Sequence, residues 1–503
     1  MTVLCVDAGT SLVKCVAFDA EGREQHVESA PTEVNRPAPG HSEQDMDAVY
    51  EAVAETIRGC AQAVDEPVEL LATTAQGDGC WLVADDGRPT GPAILWNDAR
   101  AAEIVEEWER GGQLEAAFRI NGSVAFSGLP HAILSWLQRH DPDRLERSAA
   151  LLFCNGWIFE SLTGERAMDP SDASNPWLDV RDGRYSERVL ELFGLESLGR
   201  LLPPLRDGTD RVAEIKPEAA RALGLPAGLP VTMAPFDVVA TTTGVGAIEP
   251  ETACGILGTT LSVVTVTRDP DPDLSGPPVG MTLCTGMQDR WARAYATLAG
   301  TEVIDWACEL LALDEPAELT RLAESTDAAS PGPAFLPYLS PAGERAPFRN
   351  SAARGSLVGV TLDHDRPSVA RAVLEGLSLV VRDCLEAGTV RPKEIRVSGG
   401  GAASELWCQL IADAAGIGVV TLADTQSGAK GALITALVAT GRADGFDEAT
   451  QLVRLGRTYE PDAGQRERLD DSYRHFISLR DSSAEHHWPL IARREEQPGR
   501  SAA

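Results

Sequence analysis

With 503 residues the chain exceeds what a single hydrophobic core usually serves, so two large domains are expected. Its net charge of -32, from 76 acidic against 44 basic side chains, excludes a surface for nucleic acid or anionic membrane; a nucleotide site would need backbone N–H groups, a rare cation or a metal ion to offset repulsion. Ten cysteines are scattered without CxxC spacing, and no stretch has signal-peptide or membrane-spanning character, which predicts buried thiols in a soluble, cytoplasmic protein.

The chain opens on Val3-Leu-Cys-Val-Asp7-Ala-Gly9-Thr10-Ser11, an apolar strand and a Gly-Thr turn, followed by a second strand to Phe18 and a polar turn at Gly22. This predicts a β-hairpin. Met46, Val49, Val53, Ile57, Cys60 and Val64 recur at helical spacing. Gly246-Ala-Ile-Glu-Pro250 breaks the pattern, placing a boundary near 245–252 between a first domain, 1–247, and a second, 248–455. Immediately afterwards Ala253 to Thr265 repeats the strand, Gly258-Thr259-Thr260 turn and strand of the N-terminus, a weak internal duplication. Asp365-Arg-Pro367 forms an N-cap signal before the stripe Val369, Val373, Leu377, Val380, Cys384. Glu394–Ser398, the turn Gly399-Gly400-Gly401, a stripe through Leu406 to Ala414 and Val419–Leu422 read as β-α-β. Alternation of strand and helix predicts an α/β fold. Residues 456–503 form a helical or flexible tail, expected to fray from Ser482; the adjacent His486 and His487 lack a convergent third metal ligand.

Phosphoryl transfer needs positioning and charge neutralisation more than covalent help. In the first hairpin Gly9 permits a close backbone approach, Thr10 and Ser11 supply hydroxyls, Lys14 supplies a cation, and Asp7 is placed to hold Mg²⁺ directly or through water. Such a turn is more often functionless than not, but a second one at Gly258, Thr259 and Thr260 would let two turns grip a polyphosphate. Gly399, Gly400 and Gly401 would let adenine or ribose lie against backbone, or serve only close helix–sheet packing. No GxxxxGK[ST], GxSxG or HExxH motif is present.

Many ordered segments, among them Gly40-His-Ser-Glu-Gln-Asp45, Asp85 to Arg100, Leu162-Thr-Gly-Glu165, Gly343-Glu-Arg-Ala-Pro347 and Ser398 to Trp407, make the chain resemble the FGGY family of carbohydrate kinases from Val3 to about Gly441. The resemblance implies two actin-like (ribonuclease H-like) domains around a central cleft, a sugar held mainly by the first and Mg-ATP mainly by the second. It puts the catalytic base at Asp237, in Pro230 to Gly244, and carries metal-facing carboxylates onto Asp7 and Asp237, and nucleotide contact onto Ser404 beside the three glycines. A carboxylate amid apolar and small residues at a strand's end suits a base in a dry site; it also suits an N-cap for a helix at 238–244. Sugar contacts fall on Gln76, Gly77, Asp78, Trp96 and Phe236; Asp78 reads equally as a turn residue and Trp96 as core. Trp96 and Asp98 line or brace the pocket. Pro235-Phe236 stands where relatives usually have glycines, and Val238 where they often have a polar residue.

The expectation is therefore an ATP- and Mg²⁺-dependent kinase of a ketopentose, tetrulose or tetritol, closer to L-xylulose and erythritol kinases than to glycerol or D-xylulose kinases, with a homodimer left open. A sugar-independent ATPase of the actin or Hsp70 kind and a catalytically silent sugar sensor are the competing readings.

Overall fold

A computed structural model describes residues 1–271, 277–326 and 332–495. It divides into two compact units: 1–248, 267–292 and 426–454 in the first; 249–266, 293–425 and the chain from 455 onward in the second. The chain thus changes unit after Ile248. A division by chain position alone would have assigned 267–292 and 426–454 to the second domain; both pack in the first, the latter because its helix is apolar and small-sided around most of its circumference.

The first unit is built on a sheet of β1 (Thr2–Ala8), β2 (Leu12–Phe18), β3 (Glu24–Pro31), β4 (Val68–Ala75), β5 (Val212–Glu214) and β6 (Pro230–Met233), in the order β5-β6-β4-β1-β2-β3. β1 and β2 are antiparallel, whereas β1, β4 and β6 run parallel. Helices cover both faces, which is why β1 reads as an almost unbroken apolar run. On one face Met46–Ala63, N-capped by the Asp45 carboxylate at 3.1 Å from the Ala48 N–H, joins Leu4, Val6, Val13 and Cys15 in a core. On the other, Ala429, Ala432, Leu433, Ala436 and Leu437 meet Val3, Cys5, Phe18, Leu70 and Ala72.

In the second unit β7 (Thr252–Leu257), β8 (Leu261–Thr267), β9 (Trp291–Ala296), β10 (Glu394–Ser398), β11 (Gly418–Leu422) and β12 (Leu455–Tyr459) lie in the order β9-β8-β7-β10-β11-β12. An antiparallel hairpin β7/β8 and parallel neighbours β7, β10 and β11 repeat the senses of β1/β2 and β1, β4, β6. The expected helix spans Arg366–Ala387, its Asp365 cap accepting the Ser368 N–H at 3.1 Å. The expected frayed tail is corrected over its described part. Ala463–Ser482 and Trp488–Glu495 are helical, and Trp488 is buried against Tyr338 and Phe348 with its indole N–H 3.0 Å from the Arg354 carbonyl. Residues 496–503 of that expectation lie outside the described residues.

All ten cysteines are free, and all but Cys284 are buried. Among the described residues no helix is long and apolar enough to cross a membrane.

The helices Asp237–Gly244 and Ser427–Ala439 of the first unit press together backbone to backbone. A methyl group on Gly244 would stand 1.8 Å from the Ser427 carbonyl oxygen, and one on Gly431 would stand 1.7 Å from that of Ala240. Glycine in a helix interior ordinarily costs stability, roughly 0.5–1 kcal/mol against alanine; here the contact reverses the sign. Gly431→Ala is expected to destabilise the protein by about 1–3 kcal/mol through overpacking, seen as a lowered thermal unfolding midpoint. A midpoint equal to or above that of the parent would show that the two helices have room to part.

Candidate active site

Parallel neighbours β1, β4 and β6 end side by side, and the carboxyl ends of such strands are where α/β sheets bind ligands. Asp7 lies at the end of β1, level with Thr74 of β4. Gln76, Gly77 and Asp78 follow β4, and Phe236 and Asp237 follow β6. The strand ends are tied to one another. Gln76 N–H donates to the Ala8 carbonyl at 2.9 Å, Thr74 Oγ1 to the Pro235 carbonyl at 2.6 Å, and the Asn155 amide to the Thr73 and Ala234 carbonyls at 3.1 and 2.7 Å. Gly77 is required: a Cβ there would come within 2.4 Å of the Phe236 ring, which lies against its backbone.

A set of hydrogen bonds joins the hairpin turn to this group. The Trp96 indole N–H donates to Thr10 Oγ1 at 3.0 Å, and Thr10 Oγ1 donates to Gln76 Oε1 at 2.7 Å. Gln76 Nε2 donates to Gln44 Oε1 at 2.8 Å, and Gln44 Nε2 returns to the Thr10 carbonyl at 2.8 Å. The Thr10 hydroxyl, expected as a phosphate donor, is therefore occupied by Gln76 and Trp96. Trp96 is half-buried rather than core. Asp98 is a brace: its carboxylate takes the Ser42 N–H at 2.6 Å and the Arg100 guanidinium at 2.9 Å, while Arg100 also reaches Glu43. Gly9 closes the hairpin through its N–H to the Leu12 carbonyl at 3.1 Å, and Ser11 is exposed. Lys14 pairs with Asp7 in strand register and donates to Gln426 Oε1 at 3.0 Å.

Asp237 is the first residue of its helix, not the N-cap, a position held by Phe236; its Oδ1 accepts the Val238 N–H at 2.7 Å. Burial, then the negative charge of Asp7, pushes its pKa up to about 7 against the Val238 hydrogen bond, with Asp78 adding to the rise. Burial raises Asp7 to about 6, partly offset by Lys14. Gly428 lies so near that a Cβ there would meet the Asp7 carboxylate at 2.3 Å. Asp78 has a left-handed backbone, φ 58°, and accepts from the Asn175 amide at 3.1 Å, so it is a turn residue and an electrostatic neighbour of Asp237 at once.

Three residues of this neighbourhood escaped the sequence reading. Gln44 sits in the quoted Gly40–Asp45 segment but had no chemistry of its own to mark it. Asp172 and Asn175 lie in Pro-Ser-Asp-Ala-Ser-Asn, which reads as a polar loop. Asp172 is buried, with its pKa raised well above the usual range by desolvation and by Asp169, Asp78 and Asp237. The donor set fits a divalent cation: Asp7 and Asp237 offer hard oxygens whose proximity costs energy, which a cation would relieve. Among the described residues no three His, Cys, Asp or Glu side chains form a metal cluster, so a cation held by these two carboxylates would need oxygens from outside the protein as its further ligands.

The second unit brings together the other expected group. Gly399, φ 93°, approaches so closely that a Cβ would stand 2.7 Å from the Leu257 carbonyl and 3.3 Å from the Gly258 N; on Gly401 it would meet Leu257 and Trp407. The glycine run therefore lies directly on the Gly258 turn. Gly400 faces open space and Thr259 is exposed, whereas Thr260 is half-buried. Ser404 is already used: it N-caps Glu405–Ala415, its Oγ accepting the Trp407 N–H at 3.2 Å, and shares a hydrogen bond with Thr320 at 3.0 Å.

Known proteins match along the same lines. The N-terminal domain of the FGGY family of carbohydrate kinases matches residues 2–244 and its C-terminal domain residues 253–440. The chain is 32% identical over 505 residues to an erythritol kinase of Brucella abortus, covering 95% of both chains. To a xylulose kinase of Escherichia coli it is 31% identical over 417 residues, 82% of this chain and 84% of the other. A solved ligand-bound xylulose kinase from Lactobacillus acidophilus, 24% identical, superposes with a TM-score of 0.91 over 97% of this chain and 99% of that one, which shows the same two-domain, actin-like fold. With both family domains present in order and a full-length relative at this identity, the chain belongs to the FGGY family of carbohydrate kinases, enzymes that phosphorylate sugars and polyols with ATP.

Proposed function

We propose that the protein transfers the γ-phosphoryl group of ATP to a hydroxyl of a small, uncharged ketopentose, tetrulose or tetritol, with Asp237 as the general base. The observation that carries this reading is the placement of Asp237 just after β6, with Asp7 at the end of the parallel strand β1 as its electrostatic neighbour. The substrate oxygen bonds to the γ-phosphorus, the bond from that phosphorus to the β,γ-bridging oxygen breaks, ADP leaves, and the hydroxyl proton goes to Asp237 Oδ. Gln76 and Asp78 orient the hydroxyls, while Trp96, whose indole N–H is given to Thr10, and Phe236 on Gly77 supply apolar walls. Apart from Lys14, which faces Asp7, these residues include no cation, which favours a neutral polyol over a sugar acid. The backbone of Gly258–Thr260 and the open face at Gly400 receive the nucleotide. Asp7, with Asp237, would hold Mg²⁺, whose chemistry is to neutralise charge on the transferring phosphate. The names of the relatives, erythritol and xylulose kinases, support this substrate class, and membership in a kinase family weighs against the sugar-independent ATPase and the silent sensor.

Asp237→Asn keeps the side-chain shape and removes the base, so kcat should fall by roughly 10²- to 10⁴-fold while ATP binding, measured by calorimetry, stays within about twofold. Sugar phosphorylation at the parental rate would remove Asp237 from this role.

The base must be ionised to work, and in the metal-free protein burial and Asp7 raise the Asp237 carboxyl to about 7; a cation on the same carboxylates would move that midpoint down. Titration of Asp237 in metal-free protein, followed by carboxyl NMR against Asp237→Asn, should show a midpoint well above the ordinary carboxylate value of about 4, lowered when Mg²⁺ and nucleotide are added. A midpoint near 4 without metal would show that burial and Asp7 do not hold the group up.

Activity should vanish in EDTA and return with Mg²⁺. Thr259→Val should raise KM for ATP more than KM for the sugar, and Asp7→Ala should abolish the response to Mg²⁺. Full activity in EDTA, or a loss confined to sugar affinity, would move these residues out of the phosphate-binding machinery.

A further inference from the structure

The segment Gly343-Glu-Arg-Ala-Pro347 has no part in the chemistry above, yet its glutamate is among the most buried acidic side chains of the second unit, 2% exposed. Gly343 makes the burial possible. It has a φ of 82°, and a Cβ there would stand 2.2 Å from the Asn350 carbonyl. Glu344 and Asn350 then exchange backbone hydrogen bonds at 3.0 and 2.9 Å, and the Glu344 side chain is directed inward. Its Oε1 accepts the N–H groups of Leu298 at 2.8 Å, Arg345 at 2.8 Å and Ala346 at 3.4 Å. The Arg345 guanidinium donates to the Ala296 carbonyl at 2.9 Å. The motif thus grips the chain on both sides of Thr297.

That chain segment in turn carries the Gly258 turn. Thr297 N–H donates to the Leu261 carbonyl at 2.8 Å, and its hydroxyl is shared between the carbonyls of Ala299 at 2.7 Å and Leu261 at 3.1 Å. Thr301 N–H donates to the Gly258 carbonyl at 2.9 Å. Between them Gly300 presses on the turn so closely that a Cβ would lie 2.2 Å from the Thr259 carbonyl oxygen. A continuous set of bonds therefore runs from Glu344 through residues 296–301 to both ends of the turn 258–261. A buried carboxyl is a costly anchor unless its hydrogen bonds fix something that matters.

We propose that Glu344 is a positioning residue for the Gly258–Thr260 turn, holding it in the shape that receives the phosphates of the nucleotide. The inference rests on the reading of that turn as the phosphate-binding element. Glu344 acts through Leu298 and does not itself touch nucleotide. One oxygen accepts all three N–H groups, so a glutamine, which keeps a carbonyl oxygen there, can substitute; an alanine cannot.

The test compares Glu344→Ala, Glu344→Gln and Thr297→Val in the full-length protein, the last removing the hydroxyl link further along the same path. Hydrogen exchange of the peptide covering 257–262 reads the turn without reference to activity, and KM values for ATP and sugar read function. Glu344→Ala and Thr297→Val should speed exchange in that peptide and raise KM for ATP about tenfold, with KM for sugar within about twofold; Glu344→Gln should resemble the parent in both. Unchanged exchange, or equal losses for both substrates, overturns the proposal. If Glu344→Ala does not fold, Thr297→Val and Glu344→Gln decide by the same criteria. Faster exchange with ATP use intact overturns it as well, and Thr259→Val then shows where the fault lies: if that variant also spares ATP use, the phosphate reading of the turn has failed, and if it does not, the link from Glu344 has.

Discussion

Placing a second carboxylate near one partly withdrawn from water raises the free energy of both, since water screens each less well there. In the first unit Asp7 and Asp237 are held in that relation chiefly by backbone, with only the Lys14 charge facing Asp7 and the Val238 N–H on Asp237 to offset it. Asp7 is fixed by its place in a central strand; Asp237 is fixed by a helix pressed against Ser427–Ala439 through Gly244 and Gly431. Gly428 completes the arrangement by leaving room for the Asp7 carboxylate. The small residues of these two helices are therefore the means by which an unfavourable pair of charges is kept in place, and the stability they cost is recovered in the large cores on either side of the sheet.

The two sheets repeat one plan, but the hairpin turns at their heads have diverged. In the first unit the Thr10 hydroxyl is drawn sideways into hydrogen bonds with Gln76 and Trp96, which ties the turn to the polar residues after β4. In the second unit Thr259 is exposed, and the turn is supported from beneath by Gly399, Gly401 and Gly300. One duplicated element thus serves orientation of side chains in one copy and presentation of backbone in the other.

The α/β class, the opening hairpin, the long helix after Asp365 and the glycine turn after β10 were legible in the sequence because each rests on local chemistry: alternation, a cap, a residue without Cβ. Asp237 was marked by resemblance and as a carboxylate in an apolar setting, Gln76 and Trp96 by resemblance, and their roles are those proposed above. What could not be read was commitment. Whether Thr10 or Ser404 has a spare hydroxyl depends on Trp96, 86 residues away, and on Thr320, 84 residues away. Gln44 and Asp172 were missed for the same reason, since their surroundings are made by distant strands. The tail misled because its anchoring residue, Trp488, is a single aromatic between two histidines and Pro489, and one buried ring gives no period.

The return of residues 426–454 to the first unit has a consequence for biosynthesis. When Ile248 leaves the ribosome, the face formed by Val3, Cys5, Phe18, Leu70 and Ala72 still lacks Ala429, Leu433 and Leu437, which cover it in the finished protein. Roughly 180 residues must be made first, on the order of 10–35 s at typical elongation rates. For that interval an apolar sheet face on the nascent chain lacks its cover, and slower elongation between 248 and 426 would lengthen the exposure.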